Sequence, residues 1–396
     1  MFRSSVFQYT HYGDEVMDLF DQDLLPHSLA GTPAERILEK FKPRDLKIDG
    51  KTLITTPVFD AYWYFAAARQ NIFFARVTGH DAAGERNRDK ILHSYRFTNA
   101  YRASDRVSQY LIREIIGDHQ SFWSKDDIFF RVMLFKIFNK IETWEALKKE
   151  FGEITLNNFD FHKYDKFLAE RQNENIRNYS AAYIMPSAGR VFGQSRKHSN
   201  HLALLRWMIE ENFPDRLRQM ERMADGYSLM LSAPSIGPFL AYQFVTDLNY
   251  SQLTAFDEME FVVAGPGAQD GISKCFEDAD RVSSESIIEY MALHQYDYFK
   301  ELGYEFKDLW GRSLQLIDCQ NLFCEISKYA RVAFPDIRGI FGRSRIKQQY
   351  RRNTKPLPIP TYPEKWGINE RVKDVCPHAY HHCNPSQDDY SQDSLF

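Results

Sequence analysis

The sequence predicts a mainly α protein built around a helix-hairpin-helix, and three observations carry that expectation. Apolar residues recur at three- and four-residue spacing through most of the chain, with few strand-like alternations. The run Ala233-Pro-Ser-Ile-Gly-Pro-Phe-Leu-Ala-Tyr-Gln243 is a Pro/Gly turn that opens directly into an apolar helix. A Gly265-Pro-Gly267 loop and Asp270 follow it. Such a hairpin turns backbone N–H groups outward at a helix N-terminus, where a phosphate is held without any reading of base sequence. Ser235, Ile236, Gly237 and Pro238 are the candidate DNA-contacting residues.

Along the chain, residues 1–55 carry short apolar groups broken by Pro26, Pro33 and Pro43 and read as an N-terminal arm. Residues 56–350 read as a helical catalytic domain of two lobes, with helical periodicity over 58–76, 98–117, 126–149, 199–224, 238–248, 268–278, 284–303 and 313–333. Asp127–Phe138 is apolar nearly all round and reads as the central buried helix, plain core rather than a site. Residues 351–396, with Pro356, Pro358, Pro360 and Pro363 and then a Ser/Gln/Asp-rich end, read as a tail that wraps the body or stays partly disordered.

Composition narrows the class. The 396 residues are 43% hydrophobic and 15% aromatic, enough for a substantial core. A formal net charge of −4 gives no global basic footprint, so any DNA contact must use a local patch. The odd number of cysteines, Cys275, Cys319, Cys324, Cys376 and Cys383, argues against a disulfide framework and for a reducing, cytoplasmic setting. No apolar run reaches membrane-spanning length, and the acidic N-terminus lacks a signal-peptide pattern. The phosphate-cradling pattern Gly-x-x-x-x-Gly-Lys-Ser/Thr does not occur, which argues against a kinase acting alone. The tail run Cys376-Pro-His-Ala-Tyr-His-His-Cys383 holds metal-binding residue types at no standard zinc spacing, so no metal or cofactor is expected.

Three groups could carry chemistry. On a helical wheel Asn99, Arg102, Arg106 and Gln109 share one stripe, suited to clamping phosphate and a base edge, or else form a solvated face on which Asp105 pairs an arginine. Asp318, Asn321, Glu325 and Lys328 share a second stripe, either exposed ion pairs or the wall of a site with tuned carboxylates. Asp247 follows the hairpin. Asp270 falls just before a probable helix start, where it would be held ionised beside a developing cation or would serve as an N-cap.

The combination of Arg96-Phe-Thr-Asn-Ala-Tyr-Arg-Ala-Ser-Asp-Arg106, Phe135-Lys-Ile-Phe-Asn-Lys-Ile-Glu-Thr-Trp144, Ile236-Gly-Pro-Phe-Leu-Ala-Tyr-Gln243, Gly265-Pro-Gly-Ala268 and Asp318-Cys-Gln-Asn-Leu-Phe-Cys-Glu325 resembles one family. It is the alpha-glutamyl/putrescinyl thymine pyrophosphorylase family, which includes the helical domain of 5-hydroxymethyluracil DNA kinases, and the likeness covers roughly residues 55–350. The resemblance implies a helix-hairpin-helix DNA glycosylase-like fold tied to hypermodified pyrimidines of phage DNA. Placed on the glycosylase pattern, the lyase lysine is Phe239 here, and the usual aspartate falls between Asp257 and the Gly265-Pro-Gly267 loop.

These readings together lead to the expectation of a monofunctional DNA glycosylase that flips and excises a bulky modified pyrimidine, with glucosylated hydroxymethylcytosine of phage DNA the first candidate and anti-phage defence the setting. Asp270 or Asp247 would stabilise the oxocarbenium ion, with Asp318 and Glu325 as the other carboxylate candidates. Asn99, Arg102, Arg106, Tyr101, Asn321 and Lys328 would hold the substrate, and Tyr183, Trp63 and Phe97 are further aromatic candidates. The partner would be double-stranded DNA carrying modified bases, with no membrane and no obligate protein partner. The alternatives are a transferase that displaces pyrophosphate from activated 5-hydroxymethyluracil with an amine, served by a kinase encoded elsewhere, and a non-catalytic binder of modified DNA.

Overall fold

The computed structural model describes residues 31–117, 123–351 and 358–375. The metal-type cluster of the tail, Cys376 to Cys383, lies outside them, as does the first part of the arm. The described chain is mainly helical.

The chain enters through α1 (Pro33–Lys40), whose start is fixed by a capping box between Thr32 and Glu35. A hairpin of β1 (Asp45–Ile48) and β2 (Lys51–Thr55) follows, paired antiparallel with Leu46 opposite Leu53. The long α2 (Pro57–Val77) is buried on almost every side. Its Trp63 is wholly buried and stacks on Tyr298 at 5.3 Å between ring centroids, which makes it core and not a base-stacking surface. Short α3 (Ala82–Asn87) and α4 (Lys90–Ser94) lead to the segment around Asn99.

That segment departs from expectation. The continuous helix read over 98–117 is instead a loop, a 3-10 turn at Arg102–Ser104, a short α5 (Arg106–Tyr110) and a π-helical stretch over Leu111–Ile116. Asn99, Arg102 and Arg106 therefore do not share one helix face. The reason is tertiary: Asn99 and Arg102 have their polar groups taken by distant partners that a regular helix would turn away from.

Next, α6 (Lys125–Phe138) is the buried central helix the pattern predicts, with every residue from Ile128 to Phe138 buried. It ends at Asn139 in the left-handed region, φ 49°, so that α7 (Ile141–Phe151) is separate where one run was expected. After α8 (Phe161–Asn173) and a single-turn α9 (Gly189–Phe192), α10 (Lys197–Glu210) and α11 (Phe213–Arg218) replace the one helix read over 199–224. Asn212, at φ 58°, and Pro214 break it. Helix α12 (Met223–Ser232) turns into α13 (Pro238–Leu248) with Gly237 as N-cap and Pro238 at the first helical position, which is where the sequence placed the boundary.

Helix α14 (Pro266–Cys275) starts at Gly265, five positions before Asp270, and runs straight into β3 (Phe276–Glu277), the third strand of the small sheet. Asp270 is thus inside a helix, not before one. The last large elements are α15 (Ser284–Leu293), α16 (Gln295–Glu301) and α17 (Leu316–Ala333). Helices α14 and α17 pack so closely that a Cβ on Gly271 would stand 2.0 Å from the Phe323 carbonyl oxygen. Residues 358–375 end in α18 (Asn369–Val375) and bury Tyr362, Ile368 and Val372 against the body.

Candidate functional site

Within the helical body a charged centre forms where α6, α13, α17 and the 97–106 loop meet. Asp247, on the buried side of α13, is wholly inaccessible. Arg102 Nη1 lies 2.8 Å from one of its oxygens and Lys136 Nζ, from α6, 3.2 Å from the other. Neither oxygen receives an aligned hydrogen bond, so the contact is Coulombic more than directional. The Arg102 fork is completed by Gln243 Oε1 at 3.1 Å and the Tyr250 hydroxyl at 3.1 Å, both reached from the hairpin side. Burial alone would lower the Arg102 guanidinium, but Asp247, then Tyr250 and Tyr183, outweigh it and hold it raised. For Lys136 burial wins: its ammonium is lowered, with Asp247 pulling it up and Arg102 pushing it further down. Tyr183, at φ 54°, closes one side: its ring lies 5.0 Å from the Lys136 ammonium and stacks parallel on Phe239 at 5.8 Å.

Behind this centre the backbone of the 97–106 loop is held by the α17 stripe. Asp318 accepts the Arg102 N–H at 2.8 Å and, through its other oxygen, the N–H of Gln315 at 3.0 Å, which also caps α17. Its complete burial lifts the carboxyl to about 6, against the pull of those two donors. Glu325 accepts the Thr98 N–H at 3.0 Å and pairs Lys328 at 2.7 Å, while Asn321 donates to the Thr98 hydroxyl at 3.1 Å. Asn99 donates to the Ser104 carbonyl and receives Arg69, and its own N–H goes to Asp105, whose carboxyl burial raises to about 7.

The structure therefore gathers Asp247, Arg102, Asn99, Asp318, Asn321, Glu325 and Lys328, although each of the last five binds its neighbours in the fold. It separates the others. Arg106 turns to Glu142 at 3.2 Å, beside Lys140. Tyr101 donates to the Arg312 carbonyl at 2.6 Å and receives Leu309 N–H, a structural tie rather than a stacking platform. Phe97 is core, edge-on to Phe65. Asp270 belongs to a different cluster: it pairs Lys274 at 3.1 Å, accepts Ser327 Oγ and takes the Phe341 N–H at 3.1 Å. Burial would raise its carboxyl, but Ser327, Phe341 and Lys274 together lower it. It is a strut between α14, α17 and the 337–341 loop.

Lys136 was missed. It sits in the run read as plain core, and the one available signal was a cation inside an apolar helix, which must find a counter-ion when buried. Around the hairpin, a Cβ on Gly237 would meet nothing within 4 Å, so the N-terminus of α13 opens to solvent, with Ser235 at φ 64° shaping the turn. No helix among the described residues is long and apolar enough to cross a membrane.

Residues 56–339 match the family model of the 5-hmdU DNA kinase helical domain. A relative named 5-hmdU DNA kinase, from Bacillus phage SP10, is 24% identical over 331 residues, covering 78% of this chain and 49% of the relative. The chain thus spans about half the length of that relative. No solved structure matches. These findings correct the expectation of a hydrolytic DNA glycosylase, because the relative is named for a kinase, a transferase rather than a hydrolase. Matched over the greater part of its length, and with its charged centre inside the matched span, the chain belongs to the 5-hmdU DNA kinase helical-domain family.

Proposed function

We propose that this chain is a DNA-modification transferase that works at the 5-position substituent of a modified deoxyuridine in DNA, displacing pyrophosphate from an activated 5-hydroxymethyl group with an amine. The observation that carries this reading is the family match over 56–339, which contains Arg102, Lys136 and Asp247 together. Two buried cations share the Asp247 carboxylate there, which makes the centre locally electropositive. In the reaction the amine nitrogen forms a bond to the exocyclic methylene carbon as the carbon–oxygen bond to pyrophosphate breaks. The electron pair leaves with pyrophosphate, and the new ammonium gives its proton to solvent. The glycosidic bond stays intact. The sequence carries no Gly-x-x-x-x-Gly-Lys-Ser/Thr pattern, and on this reading a separate kinase supplies the activated substrate.

The test is nucleoside mass spectrometry after incubating the protein with duplex DNA containing 5-hydroxymethyldeoxyuridine or its 5-pyrophosphoryl ester, with glycine or a diamine present. The expected result is loss of pyrophosphate and gain of the amine from the ester alone, abolished in Lys136→Met. Unchanged nucleosides in every arm, or release of free base, would overturn the reading.

A further inference from the structure

The local basic patch that a net charge of −4 demands lies outside the charged centre. Residues 337–351 contain Arg338, Arg343, Arg345, Lys347 and Arg351 and no acidic residue, and all of these cations are exposed. Among the described residues Arg338, Arg343, Arg345 and Lys347 have neither an ion-pair partner nor a side-chain hydrogen bond. Cations normally interleave with acids on a soluble surface, so a run of this kind is unusual in an acidic chain.

The segment has almost no regular structure, yet it is fastened at both ends. At one end the N–H groups of Ile340 and Phe341 bind Ser273 and Asp270, and Gly339 is pressed so close that a Cβ would stand 2.3 Å from Asp270 Oδ1. At the other, Arg96 N–H binds the Gln348 carbonyl at 3.0 Å, Tyr350 N–H binds the Ser94 carbonyl at 2.9 Å, and the Arg86 guanidinium lies 3.6 Å from the centre of the Tyr350 ring. Midway, Arg331 of α17 holds the Arg345 carbonyl at 3.1 Å. The strap therefore crosses α17 beside Arg331, six positions, or about 9 Å of helix rise, beyond Glu325. Fixed backbone with cations that lack ion-pair partners at 338, 343, 345 and 347 is what a phosphate chain needs: the ordering entropy is already spent in the fold, and there only the loose contact of Arg343 with the Phe341 ring, at 5.5 Å, must give way. Ser344, Gln348 and Gln349 add neutral donors, and exposed Ile340 and Phe341 offer apolar contact to sugars.

We propose that the 338–351 strap is the DNA-backbone track of this protein, gripping phosphodiesters at the Arg331 end of α17 without reading sequence. The proposal rests on DNA being the substrate, as the transferase reading holds, but not on the chemistry done there.

The experiment is fluorescence anisotropy of full-length protein on duplex DNA with and without 5-hydroxymethyldeoxyuridine, over a salt series. Relative to the parent, Arg343→Gln, Arg345→Gln and Lys347→Gln combined should lower the slope of log affinity against log salt by about 2 to 3, since each duplex phosphate contact contributes about 0.9. The loss should be the same on both DNAs. The double variant Arg343→Lys with Arg345→Lys should keep the parental slope. Thermal melting of each variant within about 2 °C of the parent, as expected for exposed side chains, shows the fold to be kept. An unchanged slope in the triple Gln variant, or a loss confined to the modified duplex, overturns the track. A track that passes while the parent leaves every nucleoside unchanged stands, and then it is the transferase reading that fails.

Discussion

Asp247 places one oxygen 2.8 Å from Arg102 and the other 3.2 Å from Lys136, so a single buried carboxylate answers two buried cations. The consequences for stability are asymmetric. Asp247→Asn would leave the cations facing each other without a counter-charge and should cost about 3–5 kcal/mol. Lys136→Met keeps the length of the side chain and leaves a one-to-one pair, so it should stay within about 1 kcal/mol of the parent. Urea unfolding of the two variants decides it: equal costs would show that the carboxylate is not shared.

The Asp318 carboxyl titrates at about 6 in the fold against 3.8 when free, so folding takes up a proton between those values. Ionisation therefore destabilises the fold: its cost is absent below about pH 4 and fully present above about pH 6, on the order of 3 kcal/mol for a shift of this size. Asp318→Asn cannot ionise. Its stability relative to the parent should rise as pH goes from 4 to 7, and a difference flat across that range would contradict the burial of an ionisable group there.

Asp270→Asn should act on the strap rather than on the transition state. With Lys274 left buried without its carboxylate and the Phe341 N–H bond weakened, the variant should lose roughly 2–4 kcal/mol and expose the 337–347 segment. Trypsin would read this as faster cleavage after Arg343 and Arg345 under native conditions. Parental cleavage rates there, with activity alone abolished, would restore Asp270 to a catalytic role.

Two glycines should behave oppositely. Gly271→Ala drives a Cβ into the Phe323 carbonyl and should part α14 from α17 at a cost above about 3 kcal/mol. Gly237, with φ −87° and open space beside it, should accept Ala or Glu with the fold intact. Under the DNA reading Gly237→Glu then weakens binding to all sequences alike, because an acidic side chain sits where a phosphate would dock. Melting and anisotropy measured on the same samples check both, and unweakened binding by Gly237→Glu removes the hairpin from the DNA surface.

Much of the helical plan was legible in the sequence because helix periodicity and end signals are local. The apolar run of α6, the Gly237-Pro238 start of α13 and the stripe that places Asp318, Glu325 and Lys328 together on α17 depend only on spacing along the chain. The same local logic failed where distant partners outbid it. Asn99, Arg102 and Arg106 have helical spacing, yet Asp318, Arg69 and Glu142 draw them three ways and the helix is lost.

The sequence alone determined a mainly α chain, the Gly237-Pro238 start of α13 and the family resemblance, and it left the charges unassigned. Only the tertiary structure decided which of them meet. Lys136 is one cation in an apolar helix until α13 brings Asp247 against it, and Asp270 looks like a catalytic acid until α17 and the strap close over it. The physical reason is that burial without a partner is costly for a charge, so its role is fixed by whichever opposite charge packing delivers, and that partner stands far away in the sequence.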